Sequence, residues 1–173
     1  MTRKLFPLAL TLLLATSVAL VADDRPSAHD AAQAFEQLKK LEGRWQGQTS
    51  SGTVVEVDYQ LTGNGTALVE RFAMTEHPEM TTVYTLDGDS ILLTHYCVGN
   101  QPRMRASSFG AGGEIRFDFV DVSGNTTEGH MHHALVRYDG GGRMRSDWTY
   151  RQGGADAFTE VVEIERISEL AAR

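Results

Sequence analysis

The feature that most constrains this chain is a change of period at Trp45. Before it, apolar residues recur at three- and four-residue steps; after it they alternate with polar ones almost to the end. Ala31, Ala34, Phe35, Leu38 and Leu41 form one stripe, which predicts a helix of about three turns. Lys39 and Lys40 fall in its last turn, where cations complement the helix dipole, and Gly43 is the expected stop. Val55, Val57, Tyr59 and Leu61 then alternate with Val54, Glu56, Asp58 and Gln60, the pattern of a half-buried strand. Asn64-Gly65 predicts a tight hairpin, because both residues tolerate positive φ. Further strands are expected over Ala67–Met74, Met80–Leu86, Ser90–Val98, Arg103–Phe109, Glu114–Asp121, Glu128–Tyr138, Arg143–Arg151 and Ala157–Ile167. Glycine- and aspartate-rich turns such as Asp87-Gly88-Asp89, Gly110–Gly113 and Gly140–Gly142 punctuate them.

No gap between these segments can hold a crossover helix, so neighbouring strands must run antiparallel. A meander of that kind either leaves two open edges or closes on itself. Closure removes edges that would recruit other chains. The expected fold is therefore all-β, a roughly ten-stranded antiparallel up-and-down barrel with one short N-terminal helix.

Composition bounds the rest. The chain has 173 residues, 41% hydrophobic and 23% charged, which is one globular domain's worth. Sixteen basic residues against 23 acidic ones give a net charge of −7, and an acidic domain lacks the footprint that holds a phosphate backbone, so nucleic acid is excluded as a partner. Arg3 and Lys4 precede an apolar run from Leu5 to Ala22, the layout of a secretory signal peptide over residues 1–22, cleaved near 19 or 22. A linker over 23–28 and a barrel domain over 29–173 follow. The expected location is periplasmic or secreted, with no stable membrane insertion after cleavage. Cys97 is the one cysteine, so no internal disulfide can form and the core must be stable unaided; it reads as a small buried hydrophobe.

The helix-to-strand junction reads Leu41-Glu42-Gly43-Arg44-Trp45-Gln46-Gly47. A Gly-x-Trp placed after a short helix, at the start of an up-and-down β chain, resembles the lipocalin signature of the calycin superfamily. That resemblance implies that Trp45 plugs one end of the barrel and that a basic residue from a late strand, Arg166, packs over it. Thr94-His95-Tyr96-Cys97, followed by Gly99-Asn100-Gln101-Pro102-Arg103-Met104, is similar to a group of secreted bacterial lipocalin-like proteins classed as a domain of unknown function. At greater distance the chain resembles haem-binding nitrobindin-like barrels, which would add haem as a cofactor, although no position here matches an iron-ligand context.

The histidines carry the candidate chemistry. His130 and His132 share one face of a strand, with Cα atoms about 6.6–7 Å apart, close enough for two imidazoles to converge. Ala134, Val136 and Tyr138 continue that face, which makes it the expected inner one. His95, on a face with Ile91, Leu93 and Cys97, is the expected third ligand. The set reads either as a lumenal transition-metal site or as hydrogen-bonded histidines in a polar interior. Tyr84, Phe117, Trp148 and Tyr150 supply aromatic surface, and with His95, His130 and His132 they form the expected binding site for a small apolar or amphipathic molecule. Glu160, on a face with Phe158, Val162 and Ile164, is expected to pair with a basic residue inside. Arg103, Arg105, Arg143 and Arg145 are expected in salt bridges to the surplus acids. No Gly-x-Ser-x-Gly, phosphate loop, dinucleotide fingerprint or His-Glu-x-x-His is present. A metal-dependent enzyme or carrier and a structural envelope protein remain as alternatives to the binding module.

Overall fold

A computed structural model describes residues 27–167. The proposed signal peptide and most of the linker lie outside them. Helix α1 runs Ala28–Lys39 and opens on a capping box: the Asp30 amide donates to Ser27 Oγ at 3.2 Å, and the Ser27 amide donates back to the Asp30 carboxylate at 3.3 Å. Its stripe buries Ala31, Phe35 and Leu38 against the strands that follow. The helix ends at Lys39, capped by Lys40, three residues earlier than the expected stop. Gly43 instead opens the first strand at φ 121°, where a Cβ would meet the Arg166 guanidinium at 2.9 Å.

Ten strands follow: β1 Gly43–Thr49, β2 Val54–Thr62, β3 Ala67–Met74, β4 Met80–Asp87, β5 Ser90–Tyr96, β6 Asn100–Gly110, β7 Glu114–Gly124, β8 His130–Tyr138, β9 Arg143–Gln152 and β10 Ala155–Arg166. Each pairs antiparallel with its sequence neighbours, and β10 pairs with β1 from Trp45↔Arg166 to Thr49↔Val162, closing the barrel. Closure depends on Gly47, whose missing side chain lets the Glu163 carbonyl pass; a Cβ there would sit 1.9 Å from that oxygen. The β2–β3 turn carries Gly63, Asn64 and Gly65, all at positive φ, in line with the expected hairpin.

Strand β6 starts three residues before the expected Arg103, because Pro102 does not break it. Pairing between β5 and β6 stops at Thr94↔Arg103, so Pro102 lies where the strand keeps a partner on one side only and loses no ladder bond by lacking an N–H.

Trp45 closes one end. It is fully buried, its Nε1 donates to the Leu41 carbonyl at 2.7 Å, and the Arg166 guanidinium lies 4.5 Å over its ring. Arg166 also donates to the Glu42 carbonyl at 2.5 Å and to the Lys40 carbonyl. Tyr59, Tyr138 and, further in, Leu68, Leu93, Met104 and Phe117 fill the barrel above it. The outer face is laced by ion pairs, with Arg103 on Asp121, Arg105 on Asp87, Arg137 on Glu114 and Asp147, and Arg145 on Asp147 and Glu163. The arginines thus serve the surplus acids as expected. Among the described residues no helix is long and apolar enough to cross a membrane.

Candidate functional site

The packed side chains stop short of the end opposite Trp45, where β1 finishes and β8 begins. There the lumen keeps a cavity of about 80 Å³, walled by apolar side chains including Phe72, Met80, Met131 and Val162 and by a few polar ones: Thr49, Glu70, His95, Trp148 and Glu160.

The polar wall is built by strand register. Tyr59, Glu70, Thr82 and His95 stand directly opposite one another on β2, β3, β4 and β5, so one inward row crosses four strands. All four are buried. Thr82 Oγ1 and His95 Nδ1 are 3.0 Å apart, and the Tyr84 hydroxyl donates to Glu70 Oε2 at 2.8 Å. The other ring nitrogen of His95, Nε2, is buried and has no hydrogen-bond partner among the described residues. An unpaired buried polar atom costs free energy unless something supplies the missing bond. His95 also lies against Trp148, with ring centroids 5.1 Å apart.

Burial sets the protonation states. His95 is only 5% exposed, and burial pulls its pKa from 6.5 to about 4, so it is a neutral imidazole at neutral pH. Burial pushes the Glu70 carboxyl above its ordinary value, while the hydroxyls of Tyr84, Tyr59 and Thr82 hold it back. Both phenols are pushed well up, first by burial and then by Glu70, so they remain donors. Glu160 accepts from Ser50 Oγ at 2.8 Å and from the Ser51 amide at 3.2 Å. Among the described residues it therefore does not take the basic partner expected for it.

Of the seven residues expected in the ligand site, His95 and Trp148 line the cavity. Tyr84 stands behind it, holding Glu70, and Phe117 packs against Tyr84 in the filled part of the core with centroids 6.0 Å apart. Tyr150 stacks on the exposed Phe158 at 5.1 Å and donates to the Glu128 carbonyl at 2.6 Å, outside the cavity lining.

His130 and His132 are also outside it, and the reason is a β-bulge. Met131 pairs with Tyr150 and His133 with Thr149, which leaves His132 unpaired and breaks the alternation that Ala134, Val136 and Tyr138 keep. Met131 thereby takes the lumenal position. His130 Nε2 and His132 Nδ1 approach to 3.1 Å, and both rings pack on Phe119, at 4.7 and 4.5 Å between centroids. His133 pairs with Asp118 at 3.1 Å. The three-histidine metal set is not assembled: among the described residues no three His, Cys, Asp or Glu side chains sit close enough to hold an ion. Nor does a haem fit the cavity, whose volume is far below the ~300 Å³ at which small-molecule pockets begin. Cys97 is half-buried, its thiol 3.6 Å from Met80 Sδ and its pKa raised by burial, as befits an inert thiol.

Glu70, Thr82 and Met131 were not expected in the site. A signal for Glu70 exists, since it shares its strand face with Leu68, Phe72 and Met74 and is an acid on an apolar side.

The chain matches no protein-family profile and no curated protein. Its structure is similar to the crystal structure of Rv2717c from M. tuberculosis, with a TM-score of 0.57 and 14% identity over 78% of this chain and 98% of that one. It also matches a protein of unknown function from the DUF3598 family of Nostoc punctiforme PCC 73102, with a TM-score of 0.44 and 12% identity over 76% of this chain and 49% of that one. The likeness to the first is one of fold, the closed antiparallel barrel of ten strands.

Proposed function

We propose that this chain is a lipocalin-like binding protein that holds a small apolar or amphipathic molecule in its lumen, at the end opposite Trp45. The observation that carries this reading is the unpaired Nε2 of His95 at the wall of a largely apolar cavity. Apolar walls supply affinity, and a few fixed polar groups supply orientation. The resting cavity is small, but Met74, Met80 and Met131 border it, and unbranched methionines rearrange to admit a guest at low cost. On the sequence alone, we assign residues 1–22 to a signal peptide and 29–173 to the binding domain, acting in the periplasm or outside the cell.

The test is to denature purified protein and search the extract by mass spectrometry, with His95→Phe protein as the control. A compound recovered from the wild type and lost from the variant supports the reading. If nothing co-purifies, and no compound of a lipid panel alters tryptophan fluorescence, the barrel is a structural element and the reading fails.

A further inference from the structure

We propose that the molecule bound is a small organic cation, a protonated amine carrying an apolar body, held between Glu70, Glu160 and His95. The inference rests on the lumenal-binding reading and names its ligand class.

Every ionisable group that lines the cavity is an acceptor: two carboxylates and a neutral imidazole contribute, beside the Thr49 hydroxyl and the Trp148 indole, and among the described residues no lysine or arginine does. This is unusual for the molecule. On the outer strand faces acids are matched to arginines, as Asp121 to Arg103 and Glu163 to Arg145. Glu70 and Glu160 instead meet hydroxyl and amide donors: Tyr84 for the first, Ser50 and Ser51 for the second. Of the two only Glu70 is buried; a carboxylate buried without a cation is costly, and an ammonium group brought in by a guest removes that cost.

The polar row fixes which face His95 shows. The Thr82 hydroxyl has one proton and stands between Glu70 and His95 in the cross-strand register. Pointed at an ionised Glu70, that proton leaves the Thr82 oxygen free to accept from His95 Nδ1–H across their 3.0 Å contact. Nε2 then presents a lone pair to the cavity. An ionised Glu70 and an accepting Nε2 therefore occur together, and both suit a group with several N–H donors. Glu70 and His95 are two strand spacings apart, about 9–10 Å between Cα atoms, so their side chains can converge on one nitrogen. Trp148 and Phe72 add aromatic faces that attract a cation. A carboxylate guest finds no positive partner and two negative ones; a neutral alcohol satisfies one acceptor only.

Calorimetry with n-hexylamine, 1-hexanol and hexanoate on the full domain tests this. Hexylamine is expected to bind about tenfold more tightly than hexanol, with hexanoate the weakest. In Glu70→Gln the amine-to-alcohol ratio is expected to fall to about threefold or less, and Glu160→Gln, at a half-buried position, is expected to lower it partway. Equal binding of amine and alcohol, or tighter binding of hexanoate, overturns the amine inference and leaves lumenal binding standing. No binding by any of the three overturns both.

Discussion

A neutral imidazole buried at His95 makes stability depend on pH with a definite sign. In the unfolded chain His95 takes a proton near its ordinary pKa of 6.5; in the folded protein it resists until about 4. Between those values the unfolded state binds more protons, so stability falls as pH falls. Each pKa unit corresponds to about 1.4 kcal/mol, so lowering the pH from about 7 to about 4 costs about 3 kcal/mol through this one group. With a side chain 95% removed from water, little of that is lost to solvent screening. Glu70 acts in the opposite direction: its raised pKa makes the folded state less favourable as pH rises past the ordinary carboxyl value. His130 and His132, whose pKa values are also lowered by burial, add to the acid-side loss. The variant His95→Gln isolates the His95 term, because the other groups remain in both proteins. Urea unfolding at several pH values is expected to show the wild type losing about 3 kcal/mol more than His95→Gln on acidification. Parallel curves, whose losses over that pH range differ by less than about 0.5 kcal/mol, would refute the burial argument.

Three further outcomes follow from the same structure. Arg166→Ala removes a cation over Trp45 and two donors to backbone carbonyls, and urea unfolding should record a loss of about 2 kcal/mol; no change would mean that the plug holds without it. Gly47→Ala forces a Cβ into the Glu163 carbonyl, so a loss of about 3 kcal/mol or a failure to fold is expected, and near-wild-type stability would argue against β1–β10 closure. The double variant His130→Ala, His132→Ala should leave lumenal binding measured by calorimetry within about twofold of wild type, since neither ring lines the cavity; a large loss would return those residues to the site.

The barrel was legible because its evidence is periodic. Val55, Val57 and Tyr59 alternate cleanly, the turns carry glycine where φ is positive, and no connection has room for a helix. The pairing of Trp45 with Arg166 came from the resemblance carried by Gly43-Arg44-Trp45, and closure of β1 on β10 places the two residues opposite one another. The site was harder to read. His95 was identified from its place among Ile91 and Leu93, but the bulge at His132 has no mark in the sequence, and it exchanged Met131 for the histidines at the lumen. Glu70 joins the site only through the alignment of four strands, a property of register that no single segment displays. Phe117 and Trp148 both read as inward aromatics; which of them faces packed core and which faces cavity is decided by depth along the barrel.

The most direct test is the nitrogen spectrum of His95 during a titration with whichever of n-hexylamine and 1-hexanol binds more tightly. The structure predicts a neutral ring whose Nε2 resonance moves as the guest saturates, while the resonances of His130 and His132 stay in place. Saturation that leaves Nε2 of His95 unmoved and shifts the other two rings would contradict it.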